Sequence, residues 1–251
     1  MNGADEPRET AVKKERTYDM EVARRLDAAL DYIQADPWPS PRKNEDFKQH
    51  LALLLLYRNE KVPEANRLIL EYCSAGQVTN YAGKVVPKNR SEALYRIYLT
   101  ERTHKLLTAE ASRAIEVHAW KLLTEYTRGI TRSDADKPFW QFASSENHYL
   151  NDRRRYTLAF HILRKSEEYG PAALLEGETV ESHCQAWVGF WIRYFRDRAP
   201  EGLEIEVAHP SSYGQCTAGV YYDLFDLVNN AELKALAGRY LTLYWAGGAS
   251  E

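Results

Sequence analysis

The chain lacks a long hydrophobic run. Its longest, Leu51 to Leu56, has six residues, far short of the ~20 that a membrane-spanning helix needs. Cysteine is scarce, with Cys73, Cys184 and Cys216 widely spaced and no Cys-x-x-Cys pair. That spacing argues against a disulfide framework, a redox dithiol or a zinc site, and predicts buried free thiols in a reducing compartment. Charge of one sign is also missing: 33 Lys+Arg against 36 Asp+Glu leave a net charge of -3, with no overall electrostatic footprint for nucleic acid. The first twenty residues contain no apolar stretch of the secretory type, which predicts a soluble, cytoplasmic protein. No Walker loop, Gly-rich dinucleotide fingerprint, Gly-x-Ser-x-Gly elbow or Asp-rich diphosphate motif is found, so no cofactor is expected.

β-Branched residues are few as well. There are 12 Val and 8 Ile against 29 Ala and 27 Leu. Ala and Leu lose little entropy in a helix, whereas Val and Ile favour the pleated sheet. An all-α protein follows. Residues 1–16 read as a flexible charged segment and 17–251 as one helical domain. From Tyr18, Val22, Leu26, Ala29, Leu30 and Ile33 form one apolar stripe, ended by Pro37, Pro39 and Pro41. Further helices are expected at about 46–58, at 63–73, from the capping-box-like Asn89–Glu92 through Leu94, Ile97 and Tyr98, at 109–126, through Tyr156, Phe160 and Leu163 to Gly170-Pro171, and at 179–198, 217–228 and 232–245. Polar loops are expected around Gly83 and Pro87 and over 131–145, and a short extended piece over 203–209. About ten helices in series suit a bundle, a solenoid or an α/α toroid.

Two segments carry candidate chemistry. The first runs from Trp140 to Tyr149, an aromatic loop ending in Ser-Ser-Glu-Asn-His at a helix start, where free N–H groups and the helix dipole favour an anion. A plain helix cap by Ser144 or Ser145 explains the same residues without a ligand. The second holds Glu206, His209, Ser212 and Tyr213 ahead of another helix. A structured turn with Tyr213 packed on its neighbours is the alternative. The Arg153-Arg154-Arg155 run reads mainly as a solvated, salt-bridged face, and Glu101-x-x-His104 lacks the second copy that a di-metal bundle needs. His118 and His161 read as helix-face or core histidines. Seventeen Tyr and six Trp suit either sugar stacking or an aromatic core.

Glu146-Asn147-His148, the tryptophans Trp187 and Trp191, then Glu206 and Ser212-Tyr213 resemble bacterial α/α-toroid proteins over roughly residues 135–246. That group is similar to the helical domains of alginate and heparinase-type polysaccharide lyases. The resemblance implies serial helical hairpins forming an incomplete or small α/α toroid. It also implies a carbohydrate-active enzyme acting on an acidic oligo- or polysaccharide, or on a small acidic substrate; the cysteine spacing, charge balance and short apolar runs already lead to the expectation of no metal, nucleic acid or membrane. Asn147 would neutralise a uronate carboxylate, His148 would act as base or second neutraliser, and Tyr213 would be the acid/base. Tyr149 is the nearest substitute for Tyr213. Glu146, Trp140, Tyr149, Arg153, Glu206 and His209 would bind substrate. A catalytically silent binding domain, and a glycoside hydrolase pairing Glu146 with Glu206, are the alternatives.

Overall fold

Pro63 is pre-shaped for a helical first turn, and the computed structural model starts a helix there. It describes residues 24, 27, 28, 31, 32, 35, 45–75, 77–79, 85–87, 91–126, 130–138, 145–174, 177–198 and 212–248. The N-terminal segment expected over 1–16 lies outside these, as does the extended piece over 203–209. Helix α1 (Glu45–Arg58) turns tightly into α2 (Val62–Ser74) through Asn59 and Lys61, both at positive φ (57° and 45°). Asn tolerates that left-handed region better than most residues. Asp27 and Asp31 pair with Arg58 at 3.2 and 2.6 Å, tying the preceding residues to the end of α1.

A small antiparallel pair follows, β1 (Gln77–Thr79) with β2 (Val85–Pro87), and Val78 stands opposite Val86. The polar loop expected here therefore carries a hairpin, too short to show a period of two. Next come α3 (Glu92–Leu99), the single turn α4 (Glu101–His104) and α5 (Ala109–Lys121). Thr108 caps α5 by accepting from the Ala111 N–H at 3.1 Å. The helix widens into a π turn over Leu122–Tyr126. Part of the loop expected at 131–145 is a 3₁₀ turn, Arg132–Asp136, closed by a Thr131/Asp134 capping box. The longer helices complete the chain: α6 (Glu146–Lys165), α7 (Val180–Arg198), α8 (Ser212–Leu227) and α9 (Ala231–Gly248). The all-α class is shown. None of the described helices is long and apolar enough to cross a membrane.

Helices α1 and α2 pack as one hairpin, with α2 also against α5. Helix α6, at 20 residues about 30 Å long, touches α3, α5, α7 and α8, and α8 and α9 form the last hairpin. The core explains the aromatic excess. Trp187, Phe190, Trp191, Tyr194 and Phe195 of α7 are buried, and the last two meet Tyr221 of α8 and Tyr240 of α9. Many of these rings sit edge to face, the arrangement that their quadrupoles favour. Three of their polar ends are matched inside: Trp191 Nε1 donates to Thr157 Oγ1 at 2.8 Å, and the Tyr194 and Tyr221 hydroxyls lie 3.0 Å apart. Trp187 and Trp191 are thus core residues.

The histidines expected in the interior are there. His118 lies buried between Tyr72 and Tyr95, and His161 is buried in α6. Burial disfavours the charged ring, and Arg164 and Lys165 add to the effect, so His161 is pushed down to about 4. A depressed histidine stabilises the fold above its unfolded pKa, and that contribution fades as pH falls toward the folded value. Unfolding free energy should therefore decline between about pH 6.5 and pH 4, by at most about 1.4 kcal/mol per pH unit for this ring. Denaturant titrations across that range should show a shallower decline in His161→Leu. Equal slopes in the two proteins would rule out His161 as the source.

His104 Nδ1 contacts the Tyr98 carbonyl oxygen at 2.7 Å, and Glu101 pairs with Lys105 at 2.5 Å, so both members of the Glu-x-x-His spacing have local partners. Among the described residues no group of His, Cys, Asp and Glu could hold a metal. The expectation of buried thiols holds for Cys184 and fails for Cys216, which is exposed; Cys73 is half-buried. Cys216 precedes the buried Thr217 and Ala218 of α8.

Candidate functional site

Helix α6 has two chemically distinct sides. Successive residues of a helix turn by about 100°, so Asn147, His148, Asn151, Asp152, Arg154 and Arg155 gather on one side. Tyr149, Arg153 and Tyr156 fall on the other. The first group lines an open cleft of about 660 Å³, completed by His50 of α1, Glu92 of α3, and Cys216 and Gly219 of α8. Four helices thus meet at the N-terminal half of α6, whose positive dipole end favours negative charge nearby.

A charged network forms part of the cleft wall. Arg154 donates to Asp223 Oδ2 at 3.0 Å and to Asn151 Oδ1 at 2.7 Å, and also lies 3.0 Å from Glu92 Oε1. Arg155 donates to Glu92 Oε1 at 3.0 Å and to Asp152 Oδ1 at 2.8 Å. Arg96 of α3 reaches the other oxygen of Asp223 at 2.5 Å and Asp226 at 2.8 Å. Asn151 Nδ2 donates back to the Asn147 carbonyl at 2.8 Å, so the network runs to the start of α6. Burial alone would raise the Glu92 carboxyl, but Arg155 and Arg154 outweigh it and hold it at about 2. The same carboxylates push Arg155 and Arg96 above the usual guanidinium value, against the cost of burial. The arginine run is therefore an interhelical tie, not a solvated face. Its partners lie 63 and 69 positions away in sequence, beyond what local spacing can show.

No family model, curated protein or solved structure matches this chain. The site is read from its geometry.

Of the residues expected to act, Asn147 and His148 are brought together in the cleft: Asn147 is buried and His148 exposed. Ser145 occupies the N-cap of α6 without a side-chain capping bond. Tyr213 falls in the first turn of α8, one turn before Cys216, and its side chain lies outside the described residues. Ser212 is likewise inside α8, five residues ahead of the start expected from the apolar pattern. Trp140, Glu206 and His209 lie outside the described residues.

The remaining candidates are placed elsewhere on α6. Glu146 is 5% exposed and sits 3.6 Å from Arg198 of α7, an ion pair that joins the start of α6 to the end of α7. Tyr149 is buried against Phe190, with the Arg153 guanidinium over its ring at 4.1 Å. Arg153 also approaches Tyr156 and Trp187, each at 5.9 Å. Neither Tyr149 nor Arg153 lines the cleft. The sequence reading missed His50, Glu92, Asn151 and Cys216. His50 lies in a helix recognised only by its leucines, and nothing local ties it to residues a hundred positions on. Asn151 could have been found, because it stands one turn after Asn147.

Proposed function

We propose that the cleft at the start of α6 is the site of a carbohydrate-active, lyase-like enzyme acting on a uronate-type saccharide. In the same proposal the helical hairpins belong to a small or incomplete α/α toroid. One observation carries the reading: Asn147 and His148 line the same open polar cleft, and the helix that forms another wall carries Tyr213 one turn above Cys216. The hydrogen on the carbon beside a uronate carboxylate is weakly acidic, so its removal needs charge stabilisation as well as a base. The Asn147 amide stabilises the carboxylate as negative charge develops. His148 takes the proton, the bond from the neighbouring carbon to the glycosidic oxygen breaks, and Tyr213 protonates that oxygen as it leaves. The product carries a new carbon–carbon double bond conjugated to the carboxylate.

A catalytically silent binding domain is the second reading, favoured by the engagement of Arg154 and Arg155 with fixed carboxylates. The hydrolase alternative is the weaker one, because Glu146 is buried beside Arg198.

The test is incubation of the purified chain with a panel of acidic polysaccharides, followed by ultraviolet absorbance of the unsaturated uronate. Rising absorbance is the expected result. Saccharide binding without new absorbance supports the silent domain, and reducing ends released without absorbance support hydrolysis.

A further inference from the structure

We propose that the groove between α2 and α5 receives a second copy of this chain, with the two α5 helices lying antiparallel about a two-fold axis. The groove holds about 550 Å³ and shares no lining residue with the cleft, so its role stands whether or not the cleft is catalytic. Leu70 and Cys73 of α2 and Ala114 and Val117 of α5 give it half-buried apolar walls. Helical geometry sets Glu110, Ala114, Val117 and Lys121 within about 60° of one another round α5, in a stripe about 16 Å long. That stripe runs beside the buried one of Ala111, Ile115, His118 and Ala119, so it is a second apolar side of the same helix.

Charge decides the occupant. Two charged residues of the groove are already neutralised: Glu71 pairs with Lys48 at 3.0 Å and with Arg67, and Arg113 pairs with Glu168 and, at 3.6 Å, with Glu116. The side chains of Glu110 and Lys121 are exposed and have no ion pair or hydrogen bond among the described residues. The stripe thus carries one uncompensated negative charge at the start of α5 and one positive charge at its end. A partner helix must present the same charges in the opposite order, at the same spacing. An antiparallel second α5 does this. Positions 110 and 121, and positions 114 and 117, share one midpoint between Ile115 and Glu116, so a single axis satisfies both pairs together. Glu110 of each copy then meets Lys121 of the other, and the contact occurs twice, as in any isologous interface. Ala114 meets Val117 at the centre, where small side chains let the helix axes approach to about 8–10 Å. The same register seats each α5 between α2 and α5 of the other copy, which covers Leu70 and Cys73.

The closing experiment is analytical ultracentrifugation of the whole chain from about 1 to about 100 µM, a span that reaches the weak end of specific interfaces. The mass should rise toward twice that of the monomer, and added salt should lower it by screening the exposed pairs. Glu110→Lys and Lys121→Glu should each weaken association at least about tenfold, because symmetry makes every reversal act twice and sets like charges together. Both sites are exposed, so each variant should keep the helical circular dichroism of the wild type. Mixed in equal amounts, the two variants should associate with one another, since opposite charges again face across the axis. The double variant Glu110→Lys, Lys121→Glu should associate with itself as the wild type does. A wild-type chain that stays monomeric at about 100 µM overturns the proposal, as does a dimer that neither reversal weakens. Two weakened variants that fail to associate when mixed would overturn the antiparallel pairing.

Discussion

Asp223→Ala should destabilise the protein by about 3–5 kcal/mol, the range for breaking a buried ion pair by removing one partner. Asp223 is the shared acceptor of the network: Arg154 donates to one of its oxygens and Arg96 to the other. Arg154 and Asp223 are each only 7% exposed. Without the carboxylate, Arg154 keeps Glu92 and Asn151 but loses the partner that offsets its desolvation, and α8 loses its charged tie to α6, keeping only the Asp226 pair with Arg96 of α3. For a chain of this size the expected fall in melting temperature is roughly 6–20 °C. Asp226→Ala is the control, since Asp226 is 40% exposed and exposed pairs contribute about 1 kcal/mol or less. A second variant separates lost pairing from lost packing. Asp223→Leu combined with Arg154→Met removes both charges, and replacing a buried pair by apolar residues is often neutral. The double variant should be more stable than either single one. Melting of Asp223→Ala within about 2 °C of wild type would show that the network does not hold the helices together.

On an acidic polysaccharide that the protein cleaves, His148→Ala should lower kcat by about 10²- to 10⁴-fold, the usual contribution of a positioned base. His148 is exposed, so the variant should melt within about 1 kcal/mol of wild type, and the loss can be assigned to chemistry. Asn147→Ala should also lower turnover, by about 10²- to 10³-fold if its amide meets the developing charge. Asn147 is buried, so a larger stability loss than in His148→Ala accompanies that change. Asn147→Asp should be worse than alanine, because it sets a like charge against the substrate carboxylate. Full turnover in His148→Ala would mean that the reaction is not run from this cleft.

Local pattern made much of the helical framework legible. Pro63 marked the start of α2, Pro200 and Gly202 marked the end of α7 at Arg198, and the apolar stripes located α1, α5 and α6 to within a few residues. The pattern failed where structure depends on few residues or on distant ones. Two three-residue strands have too little length to show alternation. The start of α8 was placed late because its first turn, Ser212 to Gln215, contains polar and glycine residues with no apolar period. In the site, Asn147 and His148 were visible as an unusual pair at a helix start. Glu92, His50 and Cys216 were not, since each joins the cleft only through tertiary packing. Arg154 and Arg155 were visible but misread. A charge run looks the same in sequence whether water or a distant carboxylate neutralises it.

The two sides of α6 have a consequence for how this protein can vary. The cleft residues occupy one side of the helix, while Thr157 holds Trp191 and Tyr149 packs on Phe190 from elsewhere on the same cylinder. Substitutions along α6 act one position at a time. Insertion or deletion of a single residue between Asn151 and Arg154 instead rotates everything beyond it by about 100°. Arg154 and Arg155 would then leave register with Glu92 and Asp223, and Thr157 would turn away from the Trp191 indole. Within this helix, length is under tighter constraint than identity.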